Sequence, residues 1–237
     1  ADGSRTHYWL GEFDGVSFTP HSPPRVLSFG PDDYAAIAWS NAPDGRIIIV
    51  GWMSHWNYAH LTPTADENWR GCMTLPRELT LREGVLFQTP PAELKAMRGA
   101  AIAFDESSLA FAGETYELEA EIDISDCHAT VGFRLRVGQD EATVISYDPV
   151  AKVLSIDRTR SGHREFSPEF PGIWSAPLYV TDGMLKLRIF VDRCSVEVFA
   201  QDGELYGGAL IFPIGDSPGI EFFGAGARIR KGFIYTT

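Results

Sequence analysis

Short apolar runs bounded by Gly, Pro or Asp recur along the whole chain, and few are long enough for a helix. Thr6 to Leu10, Arg25 to Ser28 and Tyr34 to Ser40 each predict a strand. Asn41-Ala42-Pro43-Asp44-Gly45 supplies a turn, and Arg46 to Met53 then runs on through IIIVGWM. An unbroken apolar run of that kind predicts a strand covered on both faces. Thr74 to Leu81 and Val85 to Phe87 follow, joined at Arg82-Glu83-Gly84. PPAELKAMRG, at 90–99, is the one convincing helical stretch, with Pro where it starts and Gly where it ends.

After that stretch the strands lengthen: Glu114 to Ile124, Ala129 to Val137, Ala142 to Tyr147 and Val153 to Asp157. Tyr116, Leu118, Ala120 and Ile122 alternate with Glu117, Glu119 and Glu121, which predicts one buried and one wet face, as in two stacked sheets. Two hairpins follow, one turning at Asp157-Arg158-Thr159-Arg160-Ser161-Gly162 and one at Asp192-Arg193-Cys194-Ser195. In the second, Ser195, Glu197 and Phe199 share a face and Val196 and Val198 the other. The change of rhythm predicts an all-β chain in two parts, 1–90 and 101–237, with 91–100 as linker.

Composition narrows the function classes. The net charge of -12 disfavours nucleic acid and anionic membranes as partners, since both are polyanions. No run of eighteen apolar residues predicts a span. The three cysteines, Cys72, Cys127 and Cys194, are far apart in sequence and predict small buried hydrophobes rather than disulfides or a zinc site. The six histidines have no metal-ligand spacing, so no metal is expected. ADGSRTHYW does not read as a signal peptide, and a start without Met, close to a strand pattern, suggests a piece of something longer.

The richest stretch is Gly51 to Leu79, GWMSHWNYAHLTPTADENWRGCMTLPREL, which holds Trp52, Trp56 and Trp69 of the six tryptophans. Indole faces at that density need a core or a sugar ring to lie on them, and a sugar also needs polar partners for its hydroxyls.

Several motifs turn this into a specific expectation. Tyr8-Trp9-Leu10-Gly11-Glu12-Phe13-Asp14-Gly15, followed by Phe18, resembles a signature of glycoside hydrolase family 32, the invertases, levanases and inulinases. Asp32-Asp33-Tyr34-Ala35 resembles that family's D-F-Y-A. Gly51-Trp52-Met53, Trp56-x-Tyr58 and Trp69-Arg70-Gly71-x-Met73-x-Leu75-Pro76-Arg77-Glu78-Leu79 follow in the family's order. Asp157-Arg158 with Ser161-Gly162, and Asp192-Arg193-x-Ser195-x-Glu197-x-Phe199, resemble markers of its C-terminal part. The resemblance covers essentially the whole chain.

It implies the last blades of a five-bladed β-propeller followed by a C-terminal β-sandwich. It also implies retaining hydrolysis of β-fructofuranosides by an aspartate nucleophile and a glutamate acid, carboxyls about 5 Å apart, with no cofactor. A second aspartate would hold fructose hydroxyls. The family motifs for these acids are W-M-N-D-P-N-G, R-D-P and E-C, and none is present; the sole Asp-Pro is Asp148-Pro149. No catalytic residue is therefore assigned to this chain, and a missing N-terminal propeller half, in the same or a separate chain, is the implied partner.

The resemblance implies substrate contacts from Trp52, as floor under a terminal fructose, from Tyr34 and Asp32 near the mouth, and from Trp56, Asn57 and Tyr58 as outer subsites. Trp52 also suits a core position on a buried strand, Asp32 a turn cap, and Trp56, Asn57 and Tyr58 contact with a neighbouring blade. The family position before this motif is Ser28 here, and its Phe is Asp33, which bears on leaving-group contacts. Arg77 and Glu78 are expected to pair with each other, and Arg70 with Glu78 or Trp69. Asp157, Arg158, Asp192 and Arg193 are expected to cap hairpins, with Glu197 answering a buried arginine.

The implied substrate is sucrose, a fructo-oligosaccharide or a fructan. A non-catalytic fructan-binding or scaffolding module and part of a fructosyltransferase remain alternatives. Tryptophan placement favours a pocket in the first part over a lectin-like sheet face, since only Trp174 lies in the second. A homo-oligomer is also compatible with the family.

Overall fold

The computed structural model describes residues 4–64, 69–215 and 217–237. Its first part is built from short strands: β1 (His7–Tyr8), β2 (Gly11–Phe13), β3 (Phe18–Pro20), β4 (Arg25–Val26), β5 (Tyr34–Ala38), β6 (Ile47–Met53), β7 (Cys72–Met73), β8 (Arg77–Arg82) and β9 (Val85–Thr89). β5, β6, β8 and β9 form one antiparallel sheet, with β7 pairing β6 beyond the end of β8. β1 pairs β4, and β2 pairs β3, in two small ladders. The apolar run in β6 is covered at Ile48, Ile49 and Met53, whereas Ile47 at its start stands exposed.

The expected helix at 90–99 is a 3-10 helix, Ala92–Met97. Six residues are too few for α-helical nucleation to be repaid, and none of them is buried. It leads to β10 (Ala101–Ala103), β11 (Tyr116–Asp123), β12 (Val131–Val137), β13 (Ala142–Asp148), β14 (Val153–Arg160), β15 (Ile173–Pro177), β16 (Met184–Asp192), β17 (Ser195–Ala200), β18 (Leu205–Leu210), β19 (Gly219–Phe223) and β20 (Arg228–Thr236). These strands make two antiparallel sheets, ordered β10-β20-β11-β16-β17-β18 and β15-β14-β13-β12-β19.

One apolar core lies between the two sheets. Leu118, Ile122, Ile189 and Val198 from the first meet Phe133, Leu135, Ile145 and Ile156 from the second, all with essentially no exposure. The alternation along β11 holds on this face and fails on the other. Glu117 is buried, not wet, because Arg98 and Arg188 close over it and hydrogen-bond its carboxylate. A carboxylate survives burial there because charged donors replace the water it loses.

β17 departs further from the two-faced pattern. Val196 and Val198 enter the core, and Glu197 and Phe199 on the opposite face are buried as well. The first part of the chain supplies the cover. Residues 28–32 run alongside the edge strand β18, with Phe29 N–H bonded to the Tyr206 carbonyl at 3.0 Å and Asp32 N–H to the Gly208 carbonyl at 3.2 Å. The otherwise open edge of the six-stranded sheet is thereby satisfied. Glycine is required in this approach: a Cβ on Gly30 would lie 2.1 Å from the Gly208 carbonyl oxygen.

Candidate functional site

The aromatic site grows out of strand pairing. Tyr34 on β5 sits opposite Trp52 on β6, so their side chains share a face. Their ring centroids are 6.3 Å apart, edge to face. Trp56, in the turn after β6, closes the group at 5.0 Å from Trp52 and 6.1 Å from Tyr34. Trp52 and Tyr34 are half-buried and Trp56 is exposed, so the cluster presents ring surface to solvent. Gly71, at φ +75°, lies against the indole; a Cβ there would come within 2.4 Å of Trp52 Nε1. Three of the five candidate residues are thus brought together.

Asn57 follows Trp56 in the chain, with its amide donating to the Glu169 carboxylate from the β14–β15 connection. Asn57, Glu169, Arg5, His55 and Trp174 line a small cavity of about 160 Å³. Polar hydrogen-bonding groups beside an indole are the combination a sugar ring requires. Nothing in the sequence signalled Glu169, which is separated from Asn57 by 112 positions.

Asp32 has a different placement from the pocket mouth that the resemblance implies. It is fully buried, and its carboxylate accepts from Arg158 Nη1 at 2.5 Å, from the Tyr58 hydroxyl and from Leu210 N–H at 2.8 Å. Those donors leave it no free face for a sugar. Its partner Arg158 is not at a hairpin turn, because β14 continues to Arg160 and turns the side chain inward. The Arg158 guanidinium also donates to the Phe170 carbonyl at 2.6 Å and to Tyr58 Oη at 2.8 Å, and stacks on Phe170 and Trp174 at 3.9 and 4.4 Å. Burial and the adjacent Asp32 charge push the Tyr58 hydroxyl far up, so it remains a hydrogen-bond donor at any ordinary pH.

A second buried array lies behind the first. Arg77 grips Asp33 with two hydrogen bonds, 2.7 and 3.0 Å, and donates to Gln88 at 3.1 Å. Arg77 does not pair with Glu78, since adjacent strand residues point to opposite faces; Glu78 goes to Arg46 at 2.9 Å. The Arg77 guanidinium lies 4.1 Å over the Tyr206 ring, and the Tyr206 hydroxyl donates to Glu197 at 2.6 Å. The other Glu197 oxygen accepts Leu75 N–H at 2.8 Å, so the residue on β17 ties directly to the segment before β8. Burial raises the Glu197 carboxyl to about 7, with Tyr206, Leu75 and Arg77 opposing the rise. Asp157 likewise lies inside β14 and caps no hairpin; it accepts Thr159 N–H at 2.8 Å where the β13–β14 register shifts, whereas Asp192, at the end of β16, accepts Arg193 N–H at 2.7 Å.

Among the described residues no cluster of three or more His, Cys, Asp or Glu side chains could hold a metal ion, and no helix is long and apolar enough to cross a membrane.

The aromatic cluster thus sits on a small sheet that the buried Asp32–Arg158 ion pair ties to the two-sheet stack. Residues 92–234 match the model described as "Glycosyl hydrolases family 32 C terminal", and residues 1–90 match "Glycosyl hydrolases family 32 N-terminal domain". The chain belongs to glycoside hydrolase family 32.

A levanase of Bacillus subtilis (strain 168) is 39% identical over 248 residues, which cover 96% of this chain and 36% of the levanase. The crystal structure of exo-inulinase from Aspergillus awamori superposes with a TM-score of 0.85 at 29% identity, over 98% of this chain and 50% of that one. The sucrose-6-phosphate hydrolase of Lactobacillus gasseri gives a TM-score of 0.85 at 26% identity, over 98% and 47%. The chain therefore spans between about a third and a half of the length of these relatives.

Proposed function

We propose that the chain is the C-terminal portion of a retaining β-fructofuranosidase that removes terminal fructose from sucrose or from fructans such as levan and inulin. Residues 1–90 form the last blades of a five-bladed propeller, 91–100 the linker and 101–237 the sandwich. Exposed apolar side chains in the first part, among them Trp9, Phe13, Ile37, Trp39 and Ile47, support this reading: a sheet with such a surface needs neighbouring blades to cover it.

The observation that carries the substrate assignment is the solvent-facing cluster of Trp52, Tyr34 and Trp56 beside Asn57. Trp52 is the floor for the C–H face of a fructofuranose, Tyr34 and Trp56 are its walls, and Asn57 offers hydroxyl contacts further out. Asp32 serves as a positioning residue, since it orients Tyr58 and Arg158 rather than meeting the sugar. The nucleophile, the acid and the hydroxyl-binding aspartate come from the remaining blades, because no counterpart motif is present in this sequence. Retaining chemistry needs both carboxyls, so the chain alone is inactive.

Titration of the chain with levan and inulin oligosaccharides, followed by tryptophan fluorescence, tests the platform. Saturable quenching that is lost in Trp56→Ala supports it. Quenching that survives both Trp56→Ala and Trp52→Ala would move the sugar to another surface.

A further inference from the structure

Cys72 and Cys194 are separated by about 120 positions, and the fold brings them together. Cys72 lies on β7, opposite Met53 of β6. Cys194 lies in the β16–β17 turn, where its carbonyl accepts Ile211 N–H at 2.9 Å. Met53 packs in one buried apolar cluster with Leu210 and Phe212, the two neighbours of Ile211, and both cysteines pack against that cluster. Both also line one cavity of about 370 Å³, together with Met73, Leu75, Ser195 and Glu197. Hydrogen bonding to Cys194, and then burial, push the Cys72 thiol up. Neither is engaged in a disulfide, and the third cysteine, Cys127, is buried elsewhere, donating to the Ala129 and Ala225 carbonyls. The two cysteines therefore share one apolar cluster and one cavity at the junction between the aromatic sheet and the two-sheet stack.

We propose that Cys72 and Cys194 are a reversible disulfide site that staples the two parts of the chain, formed by exchange with a low-molecular-weight disulfide. The thiolate of one cysteine attacks the small disulfide and expels one small thiolate. The second cysteine, once deprotonated, attacks the mixed disulfide and expels the other. One S–S bond forms between the Sγ atoms, two S–H bonds are lost, and the small disulfide is reduced to two thiols that take up the two protons. The cavity beside the pair gives the small disulfide its entry. Hydrogen bonding to Cys194, and then burial, hold the Cys72 thiol protonated well above the usual thiol range, so exchange is slow at neutral pH and speeds up in mild alkali.

The staple has a local consequence. Cys72 is flanked by Gly71, which lies on the Trp52 indole, so the bond would fix β7 and with it one wall of the aromatic cluster.

The test is incubation of the full chain with excess oxidised glutathione at mildly alkaline pH, then alkylation under denaturing conditions and peptide mapping. The expected result is loss of two of the three titratable thiols and a linked peptide joining Cys72 to Cys194 within one chain, reversed by a reductant. Cys127→Ser should give the same linked peptide, and the unsubstituted chain decides by itself if that variant fails to fold. Three intact thiols after prolonged oxidation, stable glutathione adducts in place of the link, or disulfide-joined dimers would each overturn the proposal.

Discussion

Replacing Asp32 by Asn keeps the shape of the side chain and removes its charge, leaving the Arg158 guanidinium buried without its carboxylate. Both side chains have no exposure. Water cannot take the carboxylate's place there, so the cost is that of an uncompensated buried charge, about 3–5 kcal/mol. The Tyr58 and Leu210 donors keep one amide oxygen to share in place of two carboxylate oxygens, which adds to the cost. Against a typical domain stability of about 5–15 kcal/mol this is a large fraction.

Urea unfolding followed by tryptophan fluorescence reads the effect directly. With a urea dependence of about 3 kcal/mol per molar, the midpoint should fall by about 1–2 M. Pairing Asp32→Leu with Arg158→Met should recover part of the loss, because no charge is then left buried and Met retains contact with Phe170 and Trp174. A loss below about 1 kcal/mol in Asp32→Asn would refute the reasoning, since that is the scale of a solvated surface pair.

Glu197 should make stability depend on pH in an unusual direction. Its folded-state carboxyl titrates near 7 against an ordinary 4.5, so the folded chain keeps a proton that the unfolded chain releases, and stability falls as pH rises between those values. Glu197→Gln should flatten this part of the profile, by up to about 3 kcal/mol, and an unchanged slope in thermal melts from pH 4 to 8 would contradict the assignment. Trp56→Ala should change stability by no more than about 0.5 kcal/mol, because the ring is exposed, while sugar-dependent quenching is lost; a large fall in melting temperature would instead make Trp56 a packing residue. Gly30→Ala should lower stability by about 1–3 kcal/mol in urea titration, since its Cβ meets backbone of β18 that cannot yield; a neutral result would mean that the 28–32 segment does not lie against that strand.

The legible part of the fold was the part governed by local pattern. The alternating face of β11, the apolar run of β6 and the glycine turns at Gly45 and Gly84 all follow from side-chain period and backbone sterics. The family followed from ordered motifs, and Tyr34, Trp52 and Trp56 do gather into one cluster. What pattern could not supply is the partner of each buried charge. Asp32 reads as a turn cap in one dimension, and nothing in the local pattern assigns Asp33 a partner. The burial of these two carboxyls and of Glu197 depends on Arg158, Arg77, Tyr206 and Leu75 arriving from distant parts of the chain. Glu117 misled for the same reason: a wet face on an isolated strand becomes a buried one when Arg98 and Arg188 close over it. Cys72 and Cys194 are free and pack against an apolar cluster, as expected of small hydrophobes, but their placement on the same cluster is not legible from their distance in sequence.

The most direct test of the account is fructose release from sucrose, inulin and levan by the purified 26.2 kDa chain, with intact mass under denaturing conditions confirming that no second polypeptide is present. The account predicts no release by the chain alone, and release once a polypeptide bearing the W-M-N-D-P-N-G, R-D-P and E-C motifs of the family is supplied and associates with it. Fructose released by the lone chain would contradict it, since a nucleophile and an acid would then have to lie among these 237 residues.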